Sequence, residues 1–456
     1  MAGAEKHDPF AAVRQRNYLL FAGGWLPASL GLQMQGTALA WEVYERTQDP
    51  LSLGIIGLAR ALPTVLLALP AGQIIDLVNR QRVLIATQIG FSVASVLLVL
   101  GSLAWEHGRL GSGASGVWLM YLLVALTGCA RVFNGPSRSS LLPLILPGGA
   151  STPLFHNAIA WNSGVFQLAA KRGPILAGVI IAVTGAAWPV YAFTAVGCLV
   201  FAVTAPLIRQ CSESSGEPVV EKPTVWEVIR PNVLLPGMLE GARHVWREKA
   251  VLGAIALDLF AVLLGGATAL MPMFANDILK VGPVGLGELK AAPYVGALIM
   301  AVLLANRPPF KRAGAALFGS VAGFGICTIV FGVSTNFALS LAMLALLGAL
   351  DNISVVIRHV LVSVRTPDRL RGRVSAVNSV FIESSNELGG FESGLVAKFF
   401  GPVFSVVSGG IGTILVVIGM AWWLPELRRL GRLTTDARTE GEALEEEATV
   451  RGSTPL

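Results

Sequence analysis

The sequence predicts an all-α integral membrane protein with about twelve transmembrane helices, arranged as two pseudo-symmetric bundles of six. Roughly a dozen apolar stretches are each long enough to cross a bilayer. Charged residues make up only 14% of the 456 residues, too few to cover the surface of a soluble protein of that length. Because irregular backbone cannot face lipid, the apolar stretches are expected to be helices.

The predicted spans are separated by short turns, with one longer interruption in the middle of the chain. They cover residues 17–44, 51–76, 83–105, 117–139, 155–183, 187–209, 250–275, 285–306, 313–331, 336–358, 374–400 and 402–424.

Basic residues collect in every second turn and predict the orientation of the chain, since cytoplasmic flanks retain Lys and Arg. Both termini are therefore expected in the cytoplasm, and the first span is expected to serve as the insertion signal. This asymmetry also accounts for the net charge of +6, so no nucleic-acid partner is needed. The basic flanks assigned to the cytoplasm contain Lys6, Arg14, Arg16, Arg80, Arg82, Arg307, Lys311, Arg312, Arg365, Arg369, Arg371 and Arg373, and the opposite flanks contain Arg46, Arg109, Lys280, Lys290 and Lys398.

The long polar interruption divides six spans from six. The predicted parts are a cytoplasmic N-terminus (1–16), an N-terminal bundle (17–209), a cytoplasmic linker (210–249), a C-terminal bundle (250–424) and a solvated cytoplasmic tail (425–456) that includes three consecutive acidic residues, Glu445 to Glu447.

The two halves resemble each other when the chain is aligned with itself. Spans four and five then correspond to spans ten and eleven, which suggests two bundles around a central pathway. The register pairs Arg138 with Arg358, Arg131 with Asp351, Asn162 with Asn378, Lys171 with Glu387 and Gly178 with Gly394.

Three short motifs carry a family resemblance. Gly72, Asp76 and Arg80 lie between spans two and three and match part of a G-x-x-x-D-R-x-G-R-R turn, although Leu77, Asn79 and Gln81 depart from it. Span four contains Arg131-Val132-Phe133-Asn134-Gly135, close to R-x-x-Q-G, and span five contains Gly173, Pro174 and Gly178 of a glycine-rich Gly-Pro motif.

With these motifs, the chain resembles the major facilitator superfamily, and within it the bacterial group that includes the enterobactin exporter and drug:proton antiporters. The resemblance implies a cytoplasmic gate at Gly72, Asp76 and Arg80, and a part in proton coupling for Arg131. It also implies a helix bend at Gly173, Pro174 and Gly178 that favours export. The implied location is the bacterial inner membrane.

Charged residues inside the spans are candidates for proton coupling, because buried charges in membranes are costly and often functional. Two carboxylates on one apolar face cannot both be ionised easily, so Glu387, assisted by Glu383, is the candidate proton carrier, with Arg60 or Lys171 as its ion-pair partner. A permanent structural salt bridge is the alternative. The full set is Arg60, Arg131, Lys171, Asp258, Asp351, Glu383 and Glu387, with Glu392 rotated away from Glu387.

The resemblance places the substrate cavity between spans one, four, seven and ten. Their aromatic, amide and methionine side chains suit a bulky, partly apolar molecule better than a sugar. The candidates are Trp25, Gln33, Gln35, Trp41, Phe133, Asn134, Phe260 and Met271. The histidine and cysteine positions indicate no metal site and no cofactor, and the sequence has no P-loop for ATP-driven pumping.

The sequence therefore predicts a secondary transporter, not an enzyme, that exports small amphiphilic compounds such as siderophores or drugs in exchange for protons. Its expected partners are the lipid bilayer, the substrate and protons, and it is expected to act as a monomer. Two alternatives remain open. One is a lipid or lysolipid flippase, and the other is a non-transporting membrane sensor or assembly partner.

Overall fold

The computed structural model describes residues 8–108, 115–149, 152–209, 242–308, 310–367 and 370–431. All regular secondary structure in these ranges is helical, which confirms the all-α prediction. Most of the predicted linker, residues 210–241, and the acidic run at 445–447 lie outside the described residues.

Twelve helices in the described residues match the twelve predicted spans in order. Their ends differ from the predicted ends by a few residues, except in the seventh. They are α1 (Arg16–Thr47), α2 (Pro50–Leu77), α3 (Arg80–Glu106), α4 (Ser115–Leu141), α5 (Pro153–Thr184), α6 (Trp188–Thr204), α7 (Lys249–Leu264), α8 (Gly282–Ala305), α9 (Ala313–Val333), α10 (Phe337–Arg365), α11 (Arg371–Phe400) and α12 (Pro402–Trp423).

Several helices begin at a polar residue that caps the free backbone N–H groups of the first turn. The Asp49 side chain accepts a hydrogen bond from the backbone N–H of Leu51, and Pro50 occupies the first helical position of α2. Asn79, Thr152 and Asn336 cap α3, α5 and α10 in the same way. Short polar turns therefore fix where one span ends and the next begins.

The seventh span differs from the prediction of one continuous helix over 250–275. α7 ends at Leu264, and after an irregular stretch the chain forms one turn at Met271–Met273 and a π-helical turn at Phe274–Ile278. Gly265 and Gly266 favour the break because glycine is a poor helix former. Pro272 follows, and its ring nitrogen has no N–H to donate to a preceding turn. The break lets Gly266 approach the backbone of Gly389 in α11.

Two six-helix halves, α1–α6 and α7–α12, meet mainly where α2 packs on α11 and α5 packs on α8. Each of these contacts needs a glycine. A Cβ atom added to Gly57 of α2 would lie 2.7 Å from the carbonyl oxygen of Glu387, and one added to Gly178 of α5 would collide with the carbonyl oxygen of Pro283. Gly394, the repeat partner of Gly178, packs against Gly54 of α2. The repeat therefore extends to the surfaces that join the halves.

These contacts lie toward one end of the molecule, which we call the closed end; it carries the connections α1–α2, α5–α6, α7–α8 and α11–α12. The opposite end, the open end, carries residues 8 and 431. Toward it, the same helices expose large apolar side chains, including Leu66 of α2, Leu168 of α5 and Ile299 of α8. The halves therefore touch at the closed end and separate toward the open end.

The buried apolar side chains follow the same division. At the closed end one core contains residues of both halves, among them Tyr44 of α1 and Phe331 of α9. Toward the open end the described cores are separate. One lies around Phe21 and Phe201 in the N-terminal half, and two lie in the C-terminal half, around Leu257 and Leu317 and around Val251 and Val374.

Large apolar side chains also cover the outside of the molecule, as expected for helices surrounded by lipid. Val183, Phe399 and Trp422 are among the most exposed. Nine helical segments in the described residues are long and apolar enough to cross a membrane. The other three predicted spans are α7, which is interrupted after 16 residues, and α1 and α11, which contain more polar residues.

The start of the predicted tail packs one side against the helices, while most of its side chains are exposed. A short helix, Pro425–Arg428, follows α12, and Leu427 within it is fully buried. The backbone N–H groups of Ala313 and Gly314 donate to the carbonyl oxygens of Gly431 and Leu430. The segment therefore caps α9, because the first N–H groups of a helix lack partners within the helix.

Candidate transport pathway

Arg60 and Glu387 form an ion pair between the two halves. The guanidinium Nη1 of Arg60 in α2 lies 3.5 Å from Oε1 of Glu387 in α11, and the two side chains are 28% and 16% exposed. The Glu387 backbone also contacts Gly57, one turn before Arg60. The pair therefore lies at the boundary between the part of α2 and α11 that is in contact and the part of the same helices that is exposed.

Lys171, the other cation predicted to pair with Glu387, is half-buried in α5. In the described part of the chain it makes no ion pair, so Arg60 is the partner of Glu387 in this conformation. Glu383, one turn from Glu387, is exposed. Glu392 is half-buried and accepts a hydrogen bond from the hydroxyl of Ser393 at 3.4 Å.

Asp258 and Arg358 form a second ion pair, which lies wholly inside the C-terminal half. The Asp258 carboxylate in α7 contacts the Arg358 guanidinium in α10, and both side chains are almost fully buried. Asp351, two turns before Arg358 on the same face of α10, is half-buried and lines a cleft together with Asp258. The charges predicted separately in spans seven and ten therefore form one cluster.

The N-terminal half places Arg138, the repeat partner of Arg358, in a different environment. Its guanidinium stacks on the ring of Trp25 with 4.0 Å to the ring centroid, and Nη1 donates to Oδ1 of Asn162 at 3.0 Å. Trp25 is nine residues into α1, as Asp258 is nine residues into α7. An aromatic ring in one half thus occupies the position of a carboxylate in the other.

Several of the predicted cavity side chains make their contacts inside the N-terminal half rather than in the pathway between the halves. Gln35 is buried and accepts from the Ser95 hydroxyl at 2.7 Å, and Asn134 is buried and donates to Thr87 at 3.0 Å. Gln33, half-buried, lies against Gly173 in the α1–α5 contact. Trp25, Trp41 and Met271 are buried, Phe133 is half-buried and Phe260 is 44% exposed.

The motif residues lie in the helices expected from the sequence. The backbones of Gly72 and Asp76 belong to α2, and the side chain of Asp76 lies outside the described part. Arg80 begins α3 and its Nη1 donates to the carbonyl oxygen of Ser140 in α4 at 3.4 Å. Arg131 is exposed. Gly173, Pro174 and Gly178 are buried in α5, which continues as one helix past Pro174.

Sequence reasoning missed a charged cluster inside the N-terminal half. Glu42 of α1 is buried, pairs with Arg46, and accepts from the hydroxyls of Ser102 and Tyr191, each at 2.6 Å. The Arg46 guanidinium also lies 4.6 Å from the centre of the Trp105 ring. Arg46 was predicted to lie in a flank opposite the basic cytoplasmic ones, although its spacing of four residues from Glu42 is a usable signal.

Three further contacts cross between the halves at the closed end. Lys398 of α11 lies 3.0 Å from Asp49, the capping residue of α2. The Tyr44 hydroxyl of α1 donates to Asp277 of the π-helical turn. Lys290 of α8 donates to the carbonyl oxygen of Gly36 at 3.4 Å. Lys290 was also assigned to a flank, but it lies within α8.

A family model described as transmembrane secretion effector matches residues 7–452. The chain belongs to this family. Its members include major facilitator transporters, so the chain is a multi-pass membrane transporter and not an enzyme. This confirms the resemblance on which the sequence prediction rested.

Two relatives match this chain over most of its length. The multidrug efflux pump Tap of Mycobacterium tuberculosis is 28% identical over 429 residues, covering 90% of this chain and 94% of the relative. The enterobactin exporter EntS of Escherichia coli is 22% identical over 429 residues, covering 93% of each.

A solved structure supports the fold. The crystal structure of a bacterial homologue of the iron transporter ferroportin, in an inward-facing state, superposes with a TM-score of 0.65 at 15% identity. It covers 89% of this chain and 98% of that one. The chain therefore has the major facilitator fold.

Proposed function

We propose that this protein exports small amphiphilic compounds, such as siderophores or drugs, from the bacterial cytoplasm in exchange for protons. It acts as a monomer in the inner membrane with both termini in the cytoplasm. The open end then faces the cytoplasm, and substrate enters between the halves from that side. Two similar chains, Tap and EntS, are named for efflux and export, which supports this direction.

The observation that carries the proposal is the position of the Arg60–Glu387 pair between α2 and α11. A transporter of this fold must separate these helices to expose its central site to the other side. Protonation of Glu387 removes the negative charge that attracts Arg60, and so weakens the contact between the halves at that point. At 3.5 Å and partly exposed, the pair is accessible enough to exchange a proton.

Other carboxylates in the described residues are less suited to this role. Glu42 is held by Arg46 and by two hydroxyl donors within one half, so its protonation would leave the contact between halves unchanged. Asp49 lies at the closed end as a helix cap. Among the described carboxylates, Glu387 is the one that pairs with a cation across the contact between α2 and α11 next to the part where these helices separate.

Transport into proteoliposomes under an imposed pH gradient tests the proposal. The wild-type chain, Glu387→Gln and Glu392→Gln are compared with a fluorescent amphiphilic cation. We expect gradient-driven transport by the wild type, its loss in Glu387→Gln, and its retention in Glu392→Gln, because Glu392 bonds to Ser393 of its own helix. Equal transport by all three would show that Glu387 is a structural residue.

The same vesicles separate the alternative functions. A flippase would move a fluorescent lysolipid between leaflets while leaving the soluble cation behind. A sensor would bind the compound without accumulating it, and would do so equally in Glu387→Gln. Either result with confirmed protein insertion would contradict proton-coupled export.

A further inference from the structure

The C-terminal half contains a polar cleft that the Arg60–Glu387 pair does not reach. It lies among α7, α9 and α10 and has a volume of about 240 Å³, including space open to solvent. Two carboxylates and two hydroxyls line it, among otherwise apolar side chains: Asp258, Asp351, Ser320 and Ser354.

The charges around this cleft do not balance. Arg358 is paired with Asp258, and both are almost fully buried. Asp351, across the cleft from Asp258, makes no hydrogen bond or ion pair with any described residue. One cation thus faces two carboxylates in an apolar setting, and two such carboxylates cannot both remain ionised cheaply.

The helices around Asp351 supply no second cation near it. α9 has no charged side chain, its only titratable group being Cys327, and α7 has Lys249 only at its first residue. α8 crosses α10 where Pro293 contacts Gly348. The titratable residues of α8, which are Glu288, Lys290 and Tyr294, lie before this crossing or at it, whereas Asp351 follows it on α10. On α10 itself, His359 is exposed.

A buried hydroxyl without a partner points into the same cleft. Ser354 is 3% exposed, lines the cleft one turn after Asp351, and its Oγ has no hydrogen-bond partner among the described residues. An orphan buried polar atom is costly unless a ligand or a protonated neighbour completes it. A protonated Asp351 would supply the missing donor, since a carboxylic acid carries an O–H.

We propose that Asp351 is a proton-binding site of the C-terminal half, and that the Asp258–Arg358 pair sets its occupancy. This inference rests on the proposed proton coupling, but it assigns a site separate from Glu387. A proton from water binds one carboxylate oxygen of Asp351 and leaves the same way. When it leaves, Asp351 competes with Asp258 for Arg358, which lies on the same face of α10. Proton release thereby loosens the contact between α7 and α10.

Infrared titration of the full-length chain in lipid nanodiscs tests the site without a substrate. In the wild type we expect a protonated-carboxyl band that appears as the pH is lowered into the mildly acidic range. Asp351→Asn should lose about one carboxyl from that band. Glu387→Gln should keep the Asp351 contribution to the band. The test therefore distinguishes failure of the Glu387 assignment from failure of the Asp351 assignment. An unchanged band in Asp351→Asn overturns the proposal.

Two further variants keep the test decisive if Asp351→Asn does not fold, as judged by gel filtration. Asp258→Asn frees Arg358 to pair with Asp351, so the Asp351 band should disappear at mildly acidic pH although Asp351 is present. Ser354→Ala removes the hydroxyl partner and should shift the frequency of the band. Retention of the band in Asp258→Asn, with the wild-type frequency in Ser354→Ala, overturns the assignment.

Discussion

Glu42 and Glu387 show how differently single carboxylates are held inside this transporter. Glu42 has a cation on its own helix and two hydroxyl donors on neighbouring helices, all within one half. Glu387 has one cation, on the other half, at 3.5 Å. A buried charge is stable when its lone pairs are satisfied, so the contacts of Glu42 suit a permanent charge. The single partner of Glu387 suits the proton exchange proposed for it.

The hydroxyl of Tyr191 is expected to contribute measurably to stability. Tyr191→Phe leaves the Glu42 carboxylate short of one donor while keeping the ring packing. Hydrogen bonds to charged groups contribute about 1.5–3 kcal/mol, so the melting temperature in detergent should fall clearly. Tyr121→Phe is the matched control, because that hydroxyl donates to a neutral carbonyl oxygen at 3.4 Å. Equal losses in the two variants would contradict this account of Glu42.

Sequence alone could identify the buried charges but only some of their partners. The pairing of Arg60 with Glu387 was among the predicted options, since opposite charges inside spans attract. The Asp258–Arg358 pair joins residues a hundred positions apart, and nothing in the local pattern connects them. The Glu42–Arg46 pair had a local signal in its helical spacing. The functional roles of all these residues stay predictions.

At the level of helices, small residues decide how closely the two halves approach. Gly57 and Gly178 each face a backbone carbonyl oxygen of the opposite half. A backbone oxygen is fixed by its own helix and cannot move aside as a flexible side chain can. The glycines therefore set the helix separation at the closed end.

A methyl group at Gly178 is expected to push α5 from α8. Gly178→Ala places its Cβ against the Pro283 carbonyl oxygen, and overpacking of this kind costs about 1–3 kcal/mol. Gly164→Ala on the same helix meets no atom within 4 Å and should be neutral or stabilising. Thermal unfolding of both variants in detergent measures the difference. A stable Gly178→Ala protein would show that α5 and α8 separate more easily than the structure indicates.

Helix positions were predictable because an apolar run long enough to span a bilayer has few alternative structures. The interruption of the seventh span was not predicted, because Gly265, Gly266 and Pro272 lie in a sequence that remains mostly apolar. The break brings Gly266 against α11, a contact between distant parts of the chain that the local sequence does not show. The packed segment 425–431 was missed for the same reason.

For the whole molecule, the contacts that join the halves are concentrated at the closed end. Lys398 with Asp49, Tyr44 with Asp277, and Lys290 with Gly36 all lie there or between it and the Arg60–Glu387 pair. These contacts favour the present conformation over one open at the other side.

Reversal of the Lys398 charge is expected to shift this equilibrium modestly. Lys398→Glu would repel Asp49, but both side chains are partly exposed, and exposed pairs contribute about 0–1 kcal/mol. The closed end should therefore open only a few-fold more often. Spin labels at the exposed residues Glu45 and Lys280 would report longer distances, with Lys398→Met giving a smaller change. Identical distance distributions would contradict a role for this pair in closure.

The overall architecture followed from the sequence because membrane topology depends on hydropathy and charge, which are local properties. The twelve-span pattern and the internal repeat predicted two bundles of six helices, and the motif resemblance predicted the major facilitator fold that the family match shows. The sequence did not predict which residues face the pathway, because the packing of neighbouring helices decides which face of a helix is exposed there. Gln35 and Asn134, predicted in the cavity, instead bond to helices of their own half.

The shared core at the closed end also makes the two sides of the transporter unequal. Opening that end would divide one apolar cluster into two, whereas the open end already has a separate core in each half. The resting population is therefore expected to favour the present state. A ligand arriving from the closed side must select a minor conformation, and its apparent affinity falls by the fraction of molecules in that conformation. Measured in vesicles of opposite orientation, the same compound should bind more weakly from the closed side than from the open one.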